Sequence, residues 1–128
     1  MMSNMRPTGK LALQTIAMPA DTNANGDIFG GWLVSLMDMA AGIEAKQRAK
    51  SRVVTVAIDS LVFLKPVNVG DTVTCYAELV KVGKTSLQFK MEVWTTSFIE
   101  EHTKQVAQGL FTFVAINEAR KPHPVDRT

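Results

Sequence analysis

The sequence has little of the chemistry on which metal sites and serine hydrolases depend. Its 128 residues include one cysteine and two histidines. Cys75 cannot form an internal disulfide, and with two distant histidines it does not make a zinc site. His102 and His123 both stand in polar stretches, and the chain has no Gly-x-Ser-x-Gly motif. We therefore expect neither a metal nor a serine–histidine mechanism.

An excess of charge and a long apolar run are also missing. The net charge is +2 and 20% of the residues are charged, so nucleic acid is not an expected partner. No segment is apolar over the length of a bilayer, and residues 1–10 lack the apolar core of a signal peptide. We expect a cytoplasmic protein without a membrane partner. At this length we expect a single domain over residues 1–128, ordered from about 10 to 116, with flexible ends.

A polar loop, residues 21–27, leads into a strongly apolar segment. Between Ile28 and Ile43 the only ionisable side chain is that of Asp38. The glycine pair and the absence of alternation predict a helix that begins near Gly30 and ends among charged residues. At the helical period one side carries Leu33, Leu36, Met37, Ala40 and Ile43, and the side of Asp38 carries Val34, Ala41, Gly42 and Ala45.

A helix that is apolar nearly all round must be covered on every side, and one small sheet covers only one side. We therefore expect a second copy of the chain, with Asp38 in a groove between the subunits. A buried carboxylate is costly unless it is paired, hydrogen-bonded or protonated, so Asp38 is a candidate functional group. The alternative is that Asp38 only accepts hydrogen bonds from nearby backbone.

The rest of the chain alternates as strands do. Strands are predicted over residues 10–18, with Leu11 and Leu13 on one side, and over residues 52–67, with a bend at Asp59-Ser60. Further strands are predicted over residues 72–82, 86–96 and 104–116. One strand, one helix and four strands on short turns predict an α+β fold, in which a curved antiparallel sheet of about five strands wraps around one long central helix.

Side-chain alternation also assigns faces to these strands. In the strand over residues 86–96, apolar side chains are predicted to point inward, against Gln88, Lys90 and Glu92 on the outer side. In the strand over residues 52–67, one face is predicted to carry Val54, Val56, Ile58, Val62 and Leu64. After Asn117 the chain is polar and broken by prolines, so a mobile tail is expected.

Three features of the chain offer chemistry. Gly30 and Gly31 open the helix, where unpaired backbone N–H groups could polarise a carbonyl oxygen; the alternative is a tight packing turn. Asn23 in the preceding loop could orient a water or a carbonyl, or could serve only the turn. Asp38 lies about 10 Å of helix rise beyond Gly31. It cannot serve its own helix start, but it could face that of a symmetry-related copy.

The turn at residues 83–85 does not indicate a phosphate-binding loop of the Gly-x4-Gly-Lys-Ser/Thr type. Glu78 stands where that pattern needs a glycine, and a strand follows instead of a helix. A lysine and hydroxyls at this turn could still meet a phosphate, although a solvated turn is the simpler interpretation.

Several segments resemble the hotdog-fold acyl-CoA thioester hydrolases, in particular their YciA-like branch. The segment over residues 17–33 (AMPADTNANGDIFGGWL) with Met37-Asp38 carries most of the likeness. The other matching segments are RVVTV at 52–56, FLKPV at 63–67, VGD at 69–71, TS at 85–86 and EVW at 92–94. The resemblance covers roughly residues 10–116.

The resemblance implies a helix wrapped by a sheet, subunits that join their sheets edge to edge, and active sites at the dimer interface. It implies Asp38 as general base or nucleophile, assisted by Asn23 of the other subunit and by amides near Gly30 and Gly31. Implied substrate-binding residues are Phe29, Gly30, Thr55, Phe63, Lys65, Lys84, Thr85 and Ser86. Many relatives have histidine at the position of Phe29, so an imidazole role there is excluded. The resemblance further implies acyl-CoA as the substrate and no cofactor. It implies an assembly that is at least a dimer, and the expected assembly is a trimer of dimers.

Two other functions stay open beside thioester hydrolysis. A hydratase or dehydratase of the same fold normally needs a histidine near the site, and none occurs between Met1 and Glu101. A non-catalytic acyl-CoA sensor would ordinarily need a DNA-binding or partner domain, for which this chain has no room.

Overall fold

The computed structural model describes residues 6–99 and 103–126; His102 lies outside the described residues. A short turn of 3-10 helix at Pro19–Asp21 follows the first strand. The larger elements, in chain order, are β1 (Lys10–Ile16), α1 (Gly30–Ala49), β2 (Arg52–Phe63), β3 (Thr72–Val82), β4 (Ser86–Thr96) and β5 (Thr103–Ile116).

The strands form one antiparallel sheet in the order β1-β3-β4-β5-β2. Helix α1 contacts all five strands, so it lies across one face of the sheet. The predicted α+β fold, a five-stranded antiparallel sheet with one central helix, is therefore confirmed. No helix of the described residues has the length and apolarity to cross a membrane.

The core lies between α1 and the inner face of the sheet. The alternation predicted for β4 is confirmed on this side, where Leu87, Phe89, Met91 and Val93 are all buried. The rings of Phe89 and Phe113 meet edge to face with their centroids 6.4 Å apart. Such pairs stabilise by about 0.5–1.5 kcal/mol beyond the area they bury.

Glu92 was predicted to point outward and is nevertheless buried, with 5% of its surface exposed. The chain before β1 covers it: Thr8 donates to it from its backbone nitrogen and, at 2.7 Å, from Oγ1. Trp94 Nε1 donates at 2.8 Å, and Lys90 Nζ lies 3.3 Å from Oε2. Burial alone would raise the pKa of Glu92, but these hydrogen bonds together outweigh it and lower the pKa.

A bulge in β1 changes its predicted faces. Leu11 pairs with Tyr76, and Leu13 pairs with Cys75, the residue next to Tyr76 in β3. The pairing therefore skips Ala12. Leu13 packs on the core, whereas half of the Leu11 surface is exposed. The prediction that both leucines share one side is therefore wrong, because a skipped residue reverses the alternation.

Strand β2 has two irregularities, one of which the sequence predicted. The register shifts between Asp59 and Val62, and Ser60 has a φ of 53°. This confirms the bend expected at Asp59-Ser60. The strand ends at Phe63, four residues earlier than predicted.

The other irregularity, between Thr55 and Ala57, was not predicted. It leaves Thr55 opposite Phe113 and Ile58 opposite Phe111. Both phenylalanines are buried, so Thr55 and Ile58 lie on the helix side of the sheet. The prediction that one face of β2 carries all of its exposed apolar side chains is therefore wrong. The two bulges place these side chains on different faces of the sheet; they are Val54, Val56, Ile58, Val62 and Leu64.

The buried side of α1 is wider than predicted. Leu33, Leu36, Met37 and Ala40 are buried as expected. Ile43, assigned to the same side, has 36% of its surface exposed, whereas Ala41 and Ala45 from the predicted opposite side are fully buried. The helix contacts every strand, so its buried side is broad, and the small side chains of the buried alanines let the sheet approach the helix closely.

Residues 117–126, predicted to be a mobile tail, fold back against the domain. The His123 N–H donates to Ala115 O at 2.9 Å, and the Val125 N–H donates to Lys84 O at 2.8 Å. Val125 is buried in the core. One apolar side chain among prolines and charges was too weak a signal to reveal this packing from the sequence.

The two edges of the sheet are β1 and β2. The outer strand β2 and the residue after it expose a row of large apolar side chains: Val54, Val56, Ile58, Val62, Phe63 and Leu64. Proteins usually cover long apolar edges, because such edges otherwise pair with other chains.

Candidate active site

Asp38 lies midway along α1, on a partly buried side of the helix. Its Oδ1 accepts a hydrogen bond of 2.7 Å from Oγ1 of Thr55. Thr55 stands on β2 immediately before the first bulge, and bulges recur next to active sites because they re-aim side chains. Helix and edge strand together thus position the carboxylate. Thr55 was predicted to bind substrate; the structure places it beside Asp38, and its role toward the substrate stays a prediction.

The start of α1 is open to an incoming acceptor. Phe29 occupies the N-cap position, and its side chain cannot accept the hydrogen bonds that Ser, Thr, Asp or Asn would. The first turn contains no acidic residue. The N–H groups at Gly30 and Gly31 therefore have no capping carboxylate beside them, and the helix dipole favours negative charge there.

Gly30 also packs tightly against β2. A Cβ built on Gly30 would lie 2.9 Å from Cζ of Phe63. At Gly31 a Cβ would lie 3.3 Å from the Phe29 ring. Both interpretations of the glycine pair thus have support: a close packing contact at Gly30, and a helix start that no side chain caps by a hydrogen bond.

A groove of about 510 Å³ begins at this contact. Its lining is Ile28, Gly30, Leu33, Phe63, Leu64, Lys65, Pro66 and Val67. The walls are mostly apolar, and Lys65 supplies a positive charge. Of the predicted residues the groove brings together Gly30, Phe63 and Lys65.

Most of the groove's lining was not predicted. Ile28 and Leu33 flank the predicted glycine pair, and Leu64, Pro66 and Val67 belong to a segment whose resemblance was noted. The signal was therefore present in the FLKPV segment. The sequence did not show that this segment leaves β2 and runs beside the start of the helix.

Asn23 is engaged within its own loop. Its Oδ1 accepts hydrogen bonds from the N–H groups of Asn25, at 2.9 Å, and Asp27, at 3.2 Å. Its N–H donates to Asp27 O at 2.8 Å, and Thr22 pairs with Ile28 across the loop. These hydrogen bonds agree with the alternative interpretation of Asn23, in which its side chain stabilises the turn. The side-chain oxygen holds the loop, which leaves the amide nitrogen as the donor that Asn23 can offer to a substrate.

Within one subunit, Lys84, Thr85 and Ser86 lie far from the helix start. Ser86 pairs with Val114 near the end of β5, whereas Phe63, beside Gly30, pairs with Ala107. Seven strand residues separate these positions, which is about 23 Å. The structure therefore does not bring this turn to the groove in a single chain.

Cys75 is not a nucleophile in this structure. It is fully buried, and burial raises the pKa of its thiol to about 12. The thiol is therefore protonated at neutral pH and inert. Among the described residues, no three His, Cys, Asp or Glu side chains are grouped to hold a metal ion.

Comparison with known proteins decides the family. The profile of the Thioesterase superfamily matches residues 25–97. The acyl-CoA thioester hydrolase YciA of Salmonella typhimurium is 51% identical over 122 residues, which are 93% of this chain and 92% of that protein. The chain belongs to the thioesterase superfamily. The predicted resemblance and the prediction of a thioester hydrolase are thereby confirmed.

Solved structures extend the comparison of this thioesterase-superfamily member to its fold. The Asp-to-Ala mutant of a hexameric broad specificity acyl-coenzyme A thioesterase has a TM-score of 0.90 and 47% identity, over 94% of this chain and 88% of that one. A hexameric hotdog fold thioesterase of Campylobacter jejuni has a TM-score of 0.87 and 37% identity, over 94% and 93%. The hotdog fold is confirmed.

Proposed function

We propose that the chain is an acyl-CoA thioesterase that hydrolyses acyl-CoA to a carboxylic acid and CoA, with Asp38 as its catalytic carboxylate. The observation that carries this proposal is the hydrogen bond between Thr55 and Asp38, which holds an acid between an apolar helix and the exposed edge strand. The acyl-CoA substrate named for the Salmonella relative supports it. So does the choice of an aspartate as the mutated residue in a similar enzyme.

A dimer through β2 completes the site. When a strand pairs antiparallel with its own copy about a two-fold axis, its first residues lie beside the copy's last residues. Full-length pairing of β2 therefore puts Arg52 beside the partner's Phe63, which contacts the partner's Gly30. Thr55 is three residues from Arg52, or roughly 10 Å. Asp38 of one subunit and the helix start of the other therefore flank the same stretch of the interface, about 10 Å apart along the strand, with the thioester of a bound substrate between them.

In this arrangement the thioester carbonyl oxygen points at the amides near Gly30 and Gly31 of one subunit, and its carbon faces Asp38 of the other. With Asp38 as general base, it takes a proton from water while the water oxygen attacks the carbon. The C–S bond then breaks, and the proton passes to the CoA sulfur. Negative charge on the carbonyl oxygen is met by the helix start, where one donor is typically worth about 100- to 1,000-fold in rate.

The alternative role of Asp38 is direct nucleophilic attack, which forms an anhydride that water then hydrolyses. Label in Asp38 after a single turnover in ¹⁸O-water identifies the nucleophilic role, because water that attacks the anhydride at the enzyme's carbon leaves its oxygen on Asp38. Attack at the acyl carbon, like general-base catalysis, puts the label in the product acid alone, so an unlabelled Asp38 requires direct trapping of the anhydride with hydroxylamine to separate the two roles.

The remaining predicted residues have supporting roles in the proposal. The amide nitrogen of Asn23 orients water or carbonyl across the interface. Lys65, at the groove, and Lys84, Thr85 and Ser86, brought by a neighbouring subunit, hold CoA phosphates. Phe63 and Phe29 form apolar walls for the acyl chain. The reaction needs no cofactor, because a thioester is already activated toward attack.

The test is release of CoA thiol from acyl-CoA by the Asp38→Asn variant. Turnover should fall at least 100-fold while the circular dichroism spectrum stays unchanged. Asp126→Asn, the same change at an exposed aspartate beside the end of α1, serves as control and should keep its activity. Near-normal turnover in Asp38→Asn would refute the catalytic role. Tight acyl-CoA binding by the wild type without thiol release would favour the sensor instead.

A further inference from the structure

The chain after β5 reverses its direction in a tight turn and folds back on the domain. We call residues 117–125 the strap. Asn117 Oδ1 accepts hydrogen bonds from the N–H groups of Ala119, at 2.9 Å, and Lys121, at 3.0 Å. The Arg120 N–H donates to Asn117 O at 2.9 Å, and Arg120 has a φ of 61°. These hydrogen bonds fix the reversal, so the strap returns beside the end of β5.

The strap lies between the end of β5 and the turn that joins β3 to β4. On one side, the His123 N–H donates to Ala115 O at 2.9 Å. On the other side, the Val125 N–H donates to Lys84 O at 2.8 Å. The next carbonyl of the turn, that of Thr85, accepts from the Ala115 N–H at 2.8 Å. Two successive carbonyl groups of the turn are therefore held, one by the strap and one by β5.

Val125 anchors the strap to the rest of the domain. It has 4% of its surface exposed and belongs to the hydrophobic core. Together with Ala49, at the end of α1, it borders a small recess of about 170 Å³. The ion pair of Arg48 with Asp126, just beyond the strap, is open to solvent, and exposed ion pairs contribute little. The docking of the strap therefore depends mainly on the burial of Val125.

In the proposed dimer, the turn held by the strap lies on the side of the partner's groove. Ser86 pairs with Val114, which pairs with Val54 near the start of β2. Two strand spacings, about 10 Å, thus separate Ser86 from Val54. Because the start of β2 lies beside the partner's Phe63 in that dimer, the turn flanks the groove that begins at the partner's helix start.

Positive charge gathers at this end of the molecule. Lys84 is in the turn and Arg120 and Lys121 are in the strap, and all three side chains are exposed. The two acids of this segment, Glu118 and Asp126, are each paired with an arginine. Exposed lysine and arginine side chains attract phosphate groups.

We propose that the strap sets the position of the Lys84–Ser86 turn and thereby the affinity for the phosphates of CoA, with Val125 as the positioning residue. The inference rests on the proposed function, which assigns this turn to the phosphates. A loop that is free to move must be ordered on binding, and that ordering costs affinity. The docked strap restricts the turn before the substrate arrives. Release of the strap therefore weakens phosphate binding and leaves the thioester chemistry unchanged.

The first test compares butyryl-CoA with butyryl-pantetheine, which has the same thioester and no phosphates. Val125→Asp puts a charge in the core and should release the strap. The KM for butyryl-CoA should rise about 10-fold at nearly constant kcat, the pattern of lost ground-state binding. The KM for butyryl-pantetheine should not change. Equal increases for the two substrates would overturn the proposal, because the strap would then support the whole site.

The matched control for Val125→Asp is Val69→Asp, the same change at an exposed valine between β2 and β3. It should leave both KM values as in the wild type.

Asn117→Ala tests the strap without a change in the core. It removes the oxygen that accepts from Ala119 and Lys121, so the reversal loosens while Val125 and the turn keep their side chains. The KM for butyryl-CoA should rise in the same direction by a smaller factor, again without an effect on butyryl-pantetheine. Melting temperatures identify a variant that has failed to fold, in which case the other variant decides. An unchanged KM in the folded variants overturns the proposal.

Binding of adenosine 3′,5′-bisphosphate, the nucleotide end of CoA, separates this inference from the proposed function. By calorimetry the wild type should bind it about 10-fold more tightly than Val125→Asp does. That difference in a wild type that releases no thiol would refute hydrolysis and leave the strap in place. Conversely, a wild type that hydrolyses butyryl-CoA with a KM insensitive to Lys84→Ala would overturn the inference while hydrolysis stands.

Discussion

At the scale of single residues, the Thr55–Asp38 hydrogen bond connects the edge of the sheet with the proposed chemistry. The hydroxyl donates to one carboxylate oxygen at 2.7 Å, and in the proposed mechanism the other oxygen faces the substrate. A carboxylate that is free to rotate spends less time aligned for attack, and small misplacements of catalytic groups can cost about 100-fold in rate.

We predict that Thr55→Val lowers kcat about 10- to 100-fold with little change in KM, because valine keeps the shape and loses the donor. Thr55→Ser, which restores the hydroxyl, should recover most of the loss. A purely structural role would affect both variants through stability, so melting curves accompany the kinetics. Equal activity of the valine and serine variants would show that the hydrogen bond does not position Asp38.

Glu92 makes a prediction about stability and pH. Its hydrogen bonds lower its pKa in the folded protein, whereas an unfolded Glu titrates near about 4.3. The ionised group therefore stabilises the fold above that value, and this stabilisation is lost as the pH falls through the lower, folded pKa. Glu92→Gln should cost about 1–3 kcal/mol at pH 7. Urea unfolding should show the difference from wild type shrinking below about pH 4; a difference that grows there would contradict the assignment.

At the scale of elements, the sequence predicted what depends on regular periodicity. Bounds of β3 and β4 follow from strict alternation between turn residues, and α1 follows from an apolar run opened by glycines. The bulges in β1 and before Ala57 were not predicted, because, unlike the bend at Asp59-Ser60, they fall at apolar residues within strand-like runs and no turn-forming residue marks them. The sequence identified Asp38 because it is the one ionisable residue in an apolar segment, and the glycine pair because it opens the helix. It did not predict the contact between Thr55 and Asp38, which lies directly before one of these bulges.

The close contact between α1 and β2 predicts the effect of Gly30→Ala. An added methyl group would meet the Phe63 ring at 2.9 Å, so the ring must shift, and with it the shape of the groove that both residues line. Alanine favours the helix by up to about 1 kcal/mol, so stability should change little while kcat/KM falls at least 10-fold. Gly42→Ala, whose added methyl group meets the Phe113 ring at 3.8 Å, is the stability control and should raise the melting temperature. Unchanged kcat/KM in Gly30→Ala would remove the groove from the substrate path.

At the scale of the whole molecule, the proposed site needs residues from two copies of the chain. Asp38 and the start of α1 are on the same helix but about 10 Å apart along it, and β2 leaves its outer edge and a row of valines uncovered. The sequence anticipated a second copy because α1 is apolar on too many sides for one sheet. It did not show which surface the copy uses, since this depends on strand order, which only the fold reveals.

The β2 edge therefore predicts that assembly and activity fail together. Val56→Lys places a charge on the uncovered edge strand, where lysine prevents pairing with another strand. The variant should sediment as a monomer and lose thiol release almost completely, although its Asp38–Thr55 pair is intact. Val80→Lys, at another exposed valine on β3, should keep both properties. A monomeric Val56→Lys with full activity would mean that one subunit holds the complete site.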